Sequence, residues 1–146
     1  MSENVILIDS GVVTKTLRTT DGKECSFSFN PLDMAFSRKL FTAFEKLDAK
    51  QEKYKEEVQK NADKKEIFDI GEKMNAEMRD IIDNDVFGFD VCDRLFGSMN
   101  VYAIANGLPV WANLLFAMVD ETDNAYAREQ KLTNPRIAKY TKKYHK

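Results

Sequence analysis

Apolar residues recur at helical spacing through two long segments of the chain. The first segment runs from Pro31 to about Gln59, with Asn30 placed as its cap, and carries Leu32, Phe36, Leu40, Phe44 and Leu47. The second carries Ile67, Ile70, Met74, Met78 and Ile81. Residues spaced in this way share one side of an α-helix, so both segments are predicted to be amphipathic helices. Residues 48–66 are mostly charged, which predicts a helical hairpin with an apolar base and a solvated, projecting tip.

Shorter apolar runs near the N-terminus have the character of strands. Residues 4–8 and 12–18 are rich in branched side chains, and Cys25, Phe27 and Phe29 alternate with polar residues. Asp21-Gly22 lies between the second and third runs, and glycine accepts the positive φ that a hairpin turn requires. We therefore predict a small antiparallel sheet whose apolar face packs on the helices.

Turn-forming residues interrupt the chain after the second long helix. Asn84, Asp85 and Gly88 predict a turn, Asp90 is placed to cap a short apolar helix, and Gly97 is predicted to end it. Residues 98–107 are then expected to form a further helical turn or two.

The last main helix is predicted to follow Pro109 and to cover residues 110–130. Its first turns are apolar nearly all round, so they lie either in the core or against a partner. The candidate partner-binding residues are Trp111, Leu114, Leu115 and Met118. Aromatic side chains with adaptable methionine suit helix binding, and ordinary core packing is the alternative that we favour.

These elements predict an α+β fold, with a small N-terminal antiparallel β-hairpin sheet packed on a mainly α-helical body that has a projecting helical hairpin. One domain is expected over residues 1–132. Its parts are the sheet at 1–30, the helical hairpin at 31–84 and the C-terminal helices at 85–132. Residues 133–146 are predicted to be a flexible basic tail.

Composition is that of a globular protein, with 43% hydrophobic and 32% charged residues. The N-terminus is unlike a secretory signal, and the longest nearly apolar run, residues 108–119, is too short to cross a bilayer. Cys25 and Cys92 lie outside any CxxC or metal-binding spacing and are expected to be reduced. We therefore expect a cytoplasmic protein with no membrane partner.

No catalytic or cofactor motif is present in the sequence. The acidic residues Asp80, Asp83, Asp85, Asp90 and Asp93 were the best metal candidates. Read as a calcium loop from Asp83, however, they place Phe87 and Arg94 where oxygen ligands are needed. The single histidine, His145, lies near the end of the chain, and phosphate-binding glycine motifs are absent. These observations favour a protein that is not an enzyme and that has no metal or cofactor.

The charge of the chain is unevenly distributed. Residues 131–146 contain six basic residues and no acidic residue, so the rest of the chain is acidic. With Tyr140 and Tyr144 among its lysines, this tail could contact a nucleic-acid backbone, and a solvated charge run is the alternative that we favour.

A motif between residues 79 and 97 supplies the most specific signal. Ile82-Asp83 leads into Phe87-Gly88, and a short helix then ends in Leu95-Phe96-Gly97. This run resembles a motif of the tail assembly chaperones of long-tailed bacteriophages that infect Gram-positive bacteria. The N-terminal strands, the helices after them and the Trp- and Leu-containing last helix fit the same outline.

The resemblance implies a non-enzymatic chaperone made in the bacterial host cytoplasm during virion morphogenesis. Such a protein binds the tape measure protein and keeps it soluble until tail tube subunits replace it. Two other functions stay open at this point. One is a structural tail or connector component that self-associates into an oligomer, and the other is a small nucleic-acid-binding regulator acting through the basic tail.

Overall fold

A computed structural model describes residues 4–60 and 63–131. The elements, in chain order, are β1 (Val13–Arg18), β2 (Glu24–Phe29), α1 (Met34–Lys60), α2 (Lys64–Asp80), a π-helix (Ile81–Phe87), α3 (Val91–Phe96), β3 (Ile104–Ala105), β4 (Leu108–Pro109) and α4 (Val110–Gln130). The fold is α+β, as the sequence predicts: a two-stranded antiparallel sheet accompanies a mainly helical body.

The N-terminal hairpin forms as predicted from β1 and β2. Val13 lies opposite Phe29, and Leu17 lies opposite Cys25. Cys25, Phe27 and Phe29 are buried while the residues between them are exposed, so one face of the sheet packs on the helices. Residues 4–8, however, are not a strand, and their apolar side chains are exposed.

Helices α1 and α2 form the predicted antiparallel hairpin. Lys50 near the middle of α1 pairs with Glu77 of α2 at 2.7 Å, and the rings of Tyr54 and Tyr102 meet at a tilted angle with centroids 4.9 Å apart. The base of the helical hairpin is apolar, as expected. Its buried residues are Phe36, Leu40, Leu47, Met74 and Met78.

Helix α1 begins three residues later than predicted, at Met34. The Asn30 side chain accepts a hydrogen bond from the amide of Leu32, which closes a turn before the helix. Asp33 then accepts a hydrogen bond from the amide of Ala35 at 2.9 Å. The expected cap at Asn30 is therefore wrong, and Asp33 caps the first turn.

The turn propensity of Asn84 and Asp85 predicted that the helix starting at Lys64 would end there. The structure shows that it continues through both residues. It widens into the π-helix, whose last bond runs from the Gly88 amide to the Asp83 carbonyl, five residues earlier, at 2.7 Å. This winding buries Ile81, Ile82, Val86 and Phe87 together. Gly88 then ends the helix with a φ of +80°, a conformation that favours glycine.

Residues 98–107 differ from the prediction of further helical turns. A small hairpin forms from residue 104 to residue 109, in which Ile104 lies opposite Pro109, with Asn106 and Gly107 both at positive φ in the connection. Helix α4 covers Val110–Gln130, as predicted. The predicted tail at 133–146 lies outside the described residues.

The core lies where α1, the π-helix, α3 and α4 meet under the sheet. Its largest fully buried side chain is Trp111, whose indole N–H donates a hydrogen bond of 3.0 Å to Oε1 of the buried Gln51. This bond joins α1 to α4 across the centre of the molecule. On the sheet side, Phe27 contacts Phe29 and Phe87 at centroid distances of 4.9 and 4.8 Å.

Candidate partner-binding surface

The motif between residues 79 and 97 builds the connection between α2 and α4. Asp83 accepts a hydrogen bond of 2.9 Å from the backbone amide of Cys92 in the first turn of α3. Phe87 is buried against Phe27, and Gly88 provides the left-handed end of the π-helix. The predicted turn at Phe87-Gly88 is thus present, and the helix ends four residues after the break expected at Asn84.

The second half of the motif closes α3. Leu95 and Phe96 are buried, and α3 ends at Gly97 as predicted. Arg79 of α2 holds this end in place, since its guanidinium donates to the carbonyls of Gly97 and Met99 and pairs with Asp93 at 2.8 Å. These contacts give the motif residues a structural role, because they fix α3 against α2.

Asp90 does not cap α3 as the sequence suggested. Its carboxylate instead accepts a hydrogen bond of 2.9 Å from Nε of Arg94, and its side chain makes no bond to the helix amides. This pairing with Arg94 lowers the pKa of Asp90. The capping role falls to Asp83, which the fold brings to α3 from the preceding helix.

Each member of the acidic cluster has its own partner. Asp80 accepts from Asn84, Asp83 from the Cys92 amide, Asp85 pairs with Lys46, Asp90 with Arg94 and Asp93 with Arg79. Within residues 4–60 and 63–131, no group of histidine, cysteine, aspartate or glutamate side chains is arranged to hold a metal ion.

Neither cysteine is activated as a nucleophile. Cys25 and Cys92 are both free and buried. Burial raises the pKa of the Cys92 thiol, and the charge of Asp83 raises it further. Burial also raises the pKa of Cys25. Both thiols therefore stay protonated near neutral pH, where a thiolate would be needed for attack.

The predicted partner-binding residues of α4 lie in the core. Trp111, Leu114, Leu115 and Met118 are all buried. They pack against α1, where the ring of Phe44 meets that of Trp111 at a centroid distance of 5.3 Å. Because other side chains of this chain already cover their surface, these residues do not form a partner surface in this conformation. They are core residues, the alternative given above.

A different helix face is apolar and exposed. Met34 and Phe41 of α1 are 77% and 67% exposed, although both side chains are large and hydrophobic. They are seven residues apart and therefore lie on nearly the same side of the helix, with Arg38 between them. We call Met34, Arg38 and Phe41 the α1 outer face.

The surroundings of the α1 outer face are polar and mostly basic. Ala35 and Thr42 continue the surface toward the π-helix, and Lys39 lies nearby. At that edge, Lys46 pairs with Asp85 at 3.6 Å. The surface is therefore a shallow apolar strip with basic side chains along its border.

The sequence reasoning missed Met34 and Phe41 because it followed the stripe that continues into the core. A signal was present, however. Two large apolar residues lie off that stripe at a spacing of seven, on the side of an amphipathic helix that is normally polar.

Comparisons with known protein families, with curated proteins and with solved structures find no match. None of the helices in the described residues is both long enough and apolar enough to span a membrane.

Proposed function

We propose that the protein is a non-enzymatic tail assembly chaperone of a long-tailed bacteriophage, acting in the host cytoplasm. It binds the tape measure protein and keeps it soluble before the tail tube assembles. The observation that carries the proposal is the exposed pair Met34 and Phe41 on α1. The resemblance of residues 79–97 to the chaperone motif supports it from the sequence.

The spacing of the pair suits a helical partner. Seven residues of α-helix advance about 10 Å, so Met34 and Phe41 present two apolar contacts one heptad apart. A long helix that repeats apolar residues at heptad spacing can place its own side chains against both contacts. Met34 adapts to differing neighbours because its side chain is unbranched, which suits a chaperone that must bind many similar repeats.

The charges along the α1 outer face favour a partner with acidic flanks. Arg38 lies between the two apolar residues, and Lys39 and Lys46 border the strip. Charge complementarity of this kind contributes more to orientation and association rate than to affinity. We therefore expect the bound helix to carry Asp or Glu beside its apolar stripe.

The acidic charge of most of the chain explains how a bound protein of this kind would keep the tape measure protein soluble. Apart from residues 131–146, the chain has more acidic than basic residues. A tape measure helix exposes long apolar stripes that would associate with one another. Covering those stripes with copies of an acidic protein removes the apolar area and adds mutual repulsion between the complexes.

Co-expression tests the proposal. The full chain is produced together with a phage tape measure protein, and the soluble fraction of that partner and its co-purification are measured. We expect the partner to be soluble and to co-purify with the unaltered chain. Phe41→Asp should abolish both, because it puts a carboxylate in the apolar strip.

Phe68 provides the matched control. It is a phenylalanine on α2 with the same exposed fraction as Phe41, 67%, and it lies off the α1 outer face. Phe68→Asp should leave co-purification intact. An insoluble partner that forms no complex with the unaltered chain would overturn the proposal and would favour the structural tail or connector component.

A further inference from the structure

The segment before the sheet exposes four consecutive apolar residues. Val5, Ile6, Leu7 and Ile8 are 57%, 86%, 90% and 83% exposed, respectively. No helix or strand includes them. We call residues 5–10 the N-terminal arm.

The base of the arm is held in place by hydrogen bonds. Asn30 Nδ2 donates to the carbonyl of Ser10 at 2.9 Å. The Gly11 amide donates to Asp9 Oδ1 at 2.9 Å, and the Val12 amide donates to Ser10 Oγ at 3.3 Å. The base of the arm is thus fixed beside Asn30, at the end of β2, while residues 5–8 belong to no strand.

The exposure of the arm is costly in water. Burying a single Val, Leu or Ile side chain contributes about 1.5–3 kcal/mol to stability. The four exposed side chains of residues 5–8 do not make this contribution. A run of this kind is more typical of a binding segment than of a solvated surface. Its β-branched composition favours an extended strand over a helix.

The same chain has an open sheet edge. Within the described residues, β2 is the strand partner of β1 and no other strand pairs with β1. The Thr19 amide bonds to the Lys23 carbonyl at 2.8 Å, which makes Thr19 and Lys23 a hydrogen-bonded pair. Bonded and non-bonded pairs alternate in an antiparallel ladder, so the backbone groups of Thr14, Thr16 and Arg18 point away from β2.

We propose that two copies of this chain exchange their N-terminal arms, each arm pairing as a strand with the β1 edge of the other copy. Residues 5–8, the part of the arm beyond its hydrogen-bonded base, then pair with part of the six-residue β1. Alternate side chains of this segment extend the apolar inner face on which Val13 and Leu17 lie, and the others lie on the outer face. The pairing satisfies the outward backbone groups of β1 and removes part of the exposed apolar area of the arm.

A second copy fits this role because donor and acceptor are both on the one chain. An exchange of this kind is symmetric, so each copy gives one arm and receives one, and the assembly closes at two. Two arms and the surfaces they cover would bury on the order of 1,000–2,000 Å², the range of specific stable interfaces.

The oligomeric state of the full chain tests the exchange. Sedimentation equilibrium of the unaltered protein should give twice the 16.8 kDa mass of one chain at micromolar concentration. The double variant Ile6→Asp, Leu7→Asp should raise the dimer dissociation constant about 100-fold or more. Phe68→Asp removes a large exposed apolar side chain elsewhere and should stay dimeric.

A complementation experiment separates exchange from other kinds of dimer. Thr16→Pro removes one outward amide of the β1 edge and leaves the bonded pairs intact. Alone it should be monomeric, but mixed with the arm variant it should form heterodimers, because one intact arm then meets one intact edge. Retained helical circular dichroism shows that each variant is folded. If Thr16→Pro unfolds, the dimer dissociation constant of the arm variant alone tests the exchange. A monomeric unaltered chain, or an arm variant that dimerises as tightly as the unaltered chain, would overturn the proposal.

Discussion

The carboxylate of Asp83 accepts a hydrogen bond of 2.9 Å from the backbone amide of Cys92, which joins the π-helix to the first turn of α3. The main-chain carbonyl of Asp83 also accepts the bond from Gly88 that closes the π-helix. One residue therefore sets where one helix ends and where the next begins. A residue with a side-chain acceptor oxygen therefore suits this position.

Asp83→Ala should destabilise the protein by about 1–2 kcal/mol, the usual cost of losing a helix cap. The Cys92 amide would lose its acceptor in a partly buried place. Urea unfolding followed by circular dichroism measures the change. Asp83→Asn keeps an acceptor oxygen and should recover at least half of the loss, whereas equal loss in both variants would contradict the capping role.

Gln51→Leu should destabilise the protein by about 1–3 kcal/mol although leucine is more apolar. The indole N–H of Trp111 is buried and would lose its partner, Oε1 of Gln51. Unfolding monitored by tryptophan fluorescence reports directly on this side chain, since Trp111 is the only tryptophan. Gln59→Leu, at an exposed position of the same helix, is the control and should change stability by less than about 0.5 kcal/mol.

Gly71→Ala should destabilise the protein by about 1 kcal/mol, although alanine is the better helix former. A Cβ at Gly71 would lie 2.5 Å from the Tyr102 hydroxyl and 3.3 Å from that of Tyr54, so Tyr102 must move. In a Tyr102→Phe background the hydroxyl is gone, and the same substitution should become neutral or stabilising. A thermal melt of the four proteins gives the comparison, and equal effects in both backgrounds would refute the contact.

Stability should fall as the pH rises from about 10 to about 12. Burial raises the pKa of Tyr102 to about 12, and the hydrogen bond with Tyr54 adds to this effect. The folded state therefore retains the phenol proton at pH values where the unfolded chain, with its pKa near 10, has lost it. The contribution is complete below pH 10 and is lost as the pH passes through the folded value. Tyr102→Phe should flatten this part of the urea-stability profile.

The helices and the hairpin follow from sequence because local signals and the tertiary fold agree there. Pro109 and the apolar turns after it place the start of α4, and Asp21-Gly22 places the β1–β2 turn. The helix end predicted at Asn84 and Asp85 is wrong, because turn propensity reflects only the local sequence. The burial of four apolar residues in the π-helix outweighs it. Apolar pairs five residues apart, at Ile81 and Val86 and at Ile82 and Phe87, were the available signal.

The candidate surface was harder to predict than the fold. Helix α4 is apolar nearly all round, so its sequence does not show which side faces α1, and Trp111 was a candidate for both core and surface, with core packing favoured. The packing of α1 against α4 is what places Trp111 in the core. The N-terminal arm has the composition of a strand but has no strand partner among residues 4–60 and 63–131.

Binding of the purified protein to a soluble helical segment of the tape measure protein tests the central claim most directly. Titration calorimetry compares the unaltered chain, Phe41→Asp and Phe68→Asp, whose altered side chains start with the same exposure. The account predicts binding by the unaltered chain and by Phe68→Asp, with affinity reduced at least about 30-fold in Phe41→Asp. Equal affinity in all three proteins, or loss in Phe68→Asp alone, would contradict the assignment of the α1 outer face as the partner-binding surface.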